Sequence, residues 1–82
     1  MLDISSEIDF LKESIKRLGA QRDDGKYACP YGKLLRDDKV SNTLEALNGT
    51  LKAAKKQKKV SFDAELLLSP RDDAVEVVLL ED

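Results

Sequence analysis

Residues 42–60 read NTLEALNGTLKAAKKQKKV, and the fold of the whole chain turns on how this stretch is read. At 100° per residue, Leu44, Leu47, Leu51 and Ala54 share one stripe, the spacing of a helix face turned to a core. Lys52, Lys55, Lys56 and Lys59 recur at i, i+3, i+4 and i+7 and so predict a second, basic face beside it. Ala46, Gly49 and Ala53 form a third strip, small enough for another backbone to cross closely. Asn42 and Glu45 have the spacing of a capping box, so one long helix is expected from about Asn42.

Upstream, Ile4, Ile8, Leu11, Ile15 and Leu18 predict an amphipathic helix over residues 5–18. Ser5 or Ser6 would cap it and Gly19 would end it as a C′ glycine. The same spacing fits a coiled coil, but two heptads are too few for one. QRDDGK at 21–26 reads as a turn, Lys26 to Cys29 as a short strand stopped by Pro30, and YGKLLRDD at 31–38 as a short helical turn. Downstream, Val60, Phe62, Ala64, Leu66 and Leu68 alternate with Ser61, Asp63, Glu65 and Leu67, which predicts a half-buried strand. SPRDD at 69–73 is a turn. AVEVVLL at 74–80, apolar on both faces toward its end, predicts a central strand. The order helix, strand, helix, helix, strand, strand implies an α+β fold: a single, small winged-helix-like domain of three helices with a small antiparallel sheet.

The chain has 82 residues, 37% of them charged, and a formal net charge of −2. A domain of this size buries only ~60 to 65% of the surface that its unfolded chain exposes, which leaves little room for an enclosed catalytic cavity. No apolar run approaches ~18 residues, so no membrane association is expected. The first residues, MLDISSEIDF, lack the basic and long apolar regions of a secretory signal. One cysteine permits no internal disulfide, so a cytoplasmic, reducing setting is expected. The chain is also expected to be a monomer.

Histidine is missing, and with it the commonest general base and metal ligand. Cys29 has no second thiol and no histidine to activate it, and reads as a small buried hydrophobe. Asp23 and Asp24, Asp37 and Asp38, and Asp72 and Asp73 show no calcium-loop spacing and read as turn and cap residues. The four glycines are too dispersed for a phosphate loop. Neither an enzyme nor a cofactor or metal is expected.

The lysines carry the functional signal. From Lys52 to Lys59 there are five lysines and no acid, whereas residues 69–82 hold five acids against Arg71. Cations near a helix C-terminus interact favourably with its dipole, by ~0.3 to 1 kcal/mol each, but the effect fades beyond the last turn and leaves Lys52 unexplained. Segregated charge suits docking on an acidic partner.

The run EALNGTLKAAKKQKKV, preceded by YGKLLRDDK and followed by ELLL and VEVVLLED, resembles the costars family, with Arg17, Leu18, Gly19 and Gly25 also in place. The likeness spans nearly the whole chain. It implies a winged-helix-like fold and actin binding, with a role in organising the actin cytoskeleton and in cell motility. The chain departs from the family pattern at Asp63 and Ala64, where Pro-Gly is usual, at Ser69 and Pro70, which replace Gln-Gly, and at Asp72, where histidine is common.

On this reading Lys52, Lys55, Lys56 and Lys59 would contact actin or an actin-associated protein, with Lys58, Arg36 and Lys39 as secondary candidates. An apolar patch at Val78 and Leu80 would serve an adaptor role. The competing class, a winged-helix nucleic-acid binder, fits poorly. The presumed recognition helix carries Thr43 and Glu45 at its reading end, and the pI near 5.1 lies far below the ~9 of a basic nucleic-acid module.

Overall fold

The computed structural model describes residues 3–44, 46–64 and 67–80. The first helix, α1 (Ile4–Leu18), is capped by Asp3, whose carboxylate accepts a hydrogen bond from the Ser6 amide at 2.8 Å. The cap therefore lies two residues ahead of Ser5, on a residue type that caps as well as serine. Ile8, Leu11 and Ile15 are buried, and Leu18 packs at the margin of the core.

Gly19 ends α1 in extended backbone, at φ −96° and ψ −161°, and not in the left-handed turn expected of a C′ glycine. Its amide donates to the Ile15 carbonyl at 2.8 Å. A tight hairpin follows, β1 (Ala20–Gln21) and β2 (Tyr27–Pro30). Gly25 supplies the positive φ of 87° at its tip, and Asp24 accepts from the Lys26 amide at 3.0 Å. Pro30 closes β2 from within and does not stop it early, since a strand end needs no further ladder donor.

Two short helices, α2 (Tyr31–Arg36) and α3 (Asp38–Thr43), precede α4 (Leu47–Lys56). The single helix expected from Asn42 is thus two helices, and the total among the described residues is four, not three. Asp37 caps α3 by accepting from the Val40 amide at 3.0 Å, which draws Asn42 inside that helix. The backbone at Leu44 then turns extended, and the Leu44 side chain drops into the core. Glu45, the other half of the expected capping box, lies outside the described residues.

Strands β3 (Val60–Ser61) and β4 (Glu76–Leu79) complete an antiparallel sheet of order β1-β2-β4-β3, with β4 in the central position that its apolar sequence predicts. The α+β class and the antiparallel sheet match the expectation. The strand beginning at Val60 is far shorter than expected. Beyond Phe62 the alternation also breaks: Leu67 is buried and Leu68 is exposed, the reverse of the predicted phase, while Glu65 and Leu66 lie outside the described residues.

The helices cover one face of the sheet. Cys29, Val77, Leu79 and Val60 point into the layer they share with Leu11, Ile15, Leu34, Leu51 and Ala54. Val78 is half-buried and Leu80 exposed on the opposite side, as the expected apolar patch requires. Burial pushes the Cys29 thiol up to about 11, so it stays protonated and serves as core packing.

Arg17 reaches from the end of α1 to Asp37 in a two-pronged contact of 2.8 and 3.3 Å. This pair and the Val40 amide hold the Asp37 carboxyl below its ordinary value of 3.8. Asp72 is lowered by Arg71 and the Leu68 amide, Asp73 by Ser69 and Arg36, Asp24 by the Lys26 amide and Asp3 by Ser6. Carboxylates lowered in the folded state add stability that is complete above their unfolded values and is lost as pH falls through the folded ones. Thermal stability should therefore be flat from neutral pH to about 5 and fall below about 4. Asp37→Asn, which keeps a capping side chain but loses the charge, should shallow that fall. Melting curves across this range test it, and a wild-type protein equally stable at either end would contradict it.

Candidate functional site

The exposed side of α4 is the candidate site. Thr50, Leu51 and Ala54 face the core, which leaves Gly49, Lys52 and Lys56 exposed on the other side, with Ala53 at the boundary. Thr50 fixes the helix against α1: its hydroxyl lies 3.0 Å from Glu7 Oε1 and 3.3 Å from the Ala46 carbonyl.

Only part of the predicted basic face forms. Lys52 and Lys56 project into solvent one turn apart and have no ion-pair partner among the described residues. Lys55 is turned inward. Its Nζ donates to the carbonyls of Phe62 at 3.1 Å and Ala64 at 2.7 Å and sits 4.5 Å from the centroid of the Phe62 ring. It clamps the segment leaving β3, with two of its three donors already engaged.

Lys58 and Lys59 lie beyond the helix, so the i+7 spacing expected of Lys59 does not hold. Lys58 takes the left-handed position after the helix end, with φ 61°. Its amide donates to the Lys55 carbonyl at 3.0 Å and that of Lys59 to Ala54 at 2.9 Å, the paired bonds of a Schellman stop. Glycine usually fills this position, so sequence alone gives no signal for a helix end here. Lys59 is half-buried and accepts the Leu80 amide at 2.9 Å. Arg36 on α2 is held by Asp73, and Lys39 stands exposed on α3.

A partly buried polar relay alongside α4 has no signature in the sequence. The Tyr31 hydroxyl donates to Asn48 Oδ1 at 3.0 Å, and Asn48 Nδ2 donates to the Leu67 carbonyl at 3.0 Å. With Lys55, Asn48 fastens the chain after β3 along one side of α4. Asn48 would have passed as a polar surface residue of that helix.

Four helices on one face of a small antiparallel sheet, with two lysines on an outward helix face that are unpaired among the described residues, define a small α+β domain. No described helix is long and apolar enough to cross a membrane. The Costars family model matches residues 3–80, and the chain belongs to that family. It is 51% identical over 80 residues to a Costars family protein of Picea sitchensis, covering 98% of this chain and 84% of that one. It is 48% identical to Protein costars of Dictyostelium discoideum, covering 99% of each. The solution structure of human HSPC280 protein matches with a TM-score of 0.88 at 47% identity, over 99% of this chain and 95% of the other.

Proposed function

We propose that this protein is a non-catalytic actin-cytoskeleton module. It docks through the exposed side of α4 on the acidic surface of actin, and so supports actin organisation and cell motility in the cytoplasm. The observation that carries the reading is the pair Lys52 and Lys56, solvent-facing and unpaired among the described residues of a chain of the Costars family. Exposed lysines that form no pair within their own chain are free to meet acids on another, and such contacts speed association and weaken with salt. Lys55 serves the fold, and Arg36 would first have to leave Asp73.

Co-sedimentation with actin filaments tests the proposal. Wild type should pellet at low salt and less so near physiological salt, and Lys52→Glu with Lys56→Glu should remain in the supernatant while keeping its thermal stability. Surface substitutions of this kind usually change stability by less than about 0.5 kcal/mol. A wild type that stays in solution at both salts would refute direct filament binding. Pull-down of an actin-associated factor by wild type and not by the double variant would then point to the adaptor reading.

A further inference from the structure

The exposed side of α4 is smooth as well as basic. A Cβ built at Gly49 would meet only the Ala46 Cβ, at 3.6 Å, so no other part of the described chain lies over this position. Ala46 is exposed too, and Ala53 is only partly covered. At Gly49 the close crossing that the sequence leads one to expect is not made by any described element of the protein itself, while Ala53 borders the core from the side. Lys52 and Lys56 border the same surface, roughly 6 Å apart along the axis, with no acid beside them on α4.

We infer that the element seated on this face is an acidic α-helix of the partner. A helix packed against Gly49 and Ala53 can bring its axis to about 8 Å from that of α4, the lower end of helix packing distances. At that distance carboxylates one turn apart on the partner meet Lys52 and Lys56 with matching spacing. A flat acidic surface could satisfy the lysines but would have no use for the gap at Gly49. The inference rests on the reading of α4 as the docking face and specifies what occupies it.

The test uses the isotope-labelled full chain and an alanine-based helical peptide with glutamates one turn apart, with a glutamine version as the neutral control. The glutamate peptide should shift the Gly49 and Ala53 amide resonances saturably at low salt, and the control should not. Gly49→Leu should weaken this binding roughly tenfold or more. That variant meets open space and replaces glycine by a better helix former, so it should fold at least as stably as wild type. An absence of saturable shifts, or equal binding by Gly49→Leu, would overturn the inference. In actin pelleting, equal binding by wild type and Gly49→Leu would overturn the helix while sparing the docking face. Peptide binding without actin pelleting would uphold the helix and refute direct filament binding.

Discussion

Gly19→Ala should destabilise the protein by about 3 kcal/mol, among the larger effects of any single substitution. The reason is space and not backbone conformation, because φ −96° is open to any residue. An added Cβ would press on the Ala28 carbonyl oxygen and lie 2.7 Å from both its carbon and the Ile15 oxygen. All three atoms belong to backbone held in α1 or β2, so none can swing aside as a side chain would. Relief would require the helix to move off the hairpin, opening the contact between α1 and the sheet. Urea unfolding checks this, and a loss below about 1 kcal/mol would show that the junction can yield. Gly49 supplies the contrast: Gly49→Ala should stabilise α4 by about 1 kcal/mol.

Asn48→Ala should cost roughly 1 to 3 kcal/mol for each polar group it orphans, here the Tyr31 hydroxyl and the Leu67 carbonyl. Tyr31 is 3% exposed, too little for water to replace the lost partner without rearrangement. A second substitution separates the two losses. Tyr31→Phe with Asn48→Ala removes the hydroxyl as well, and the pair should be less harmful than the sum of the single changes. Strict additivity would show that the relay is not a coupled unit. Because Asn48 also fastens the chain after β3, hydrogen exchange at Leu68 should quicken in Asn48→Ala.

Where the sequence could be read, local physics was decisive. The 4, 3, 4, 3 spacing of α1 places Ile8, Leu11 and Ile15 in the core with no help from the rest of the chain. The glycine and aspartates of the first turn, the burial of Cys29 and the central place of β4 follow in the same way. The break between α3 and α4 was not legible, because Leu44 has the right spacing for a helical stripe and also the right character for an extended core residue. The end of the strand after Ser61 was hidden for a similar reason. Period-two alternation continues on paper, whereas the carbonyls of Phe62 and Ala64 are taken by Lys55 instead of a neighbouring strand.

The candidate site divides along the same line. That residues 52–59 are rich in lysine and poor in acid is a property of the sequence alone, as is the likeness to the costars family. Which lysines remain free was decided only in three dimensions. A lysine's ammonium is free to reach a partner only if carbonyls or carboxylates of its own chain do not already hold its donors. For Lys55 those carbonyls come from residues 62–64, which the sheet and the clasp at Asn48 bring back against α4. Lys52 and Lys56 meet no such group among the described residues, because the helix turns them away from that returning segment and toward solvent.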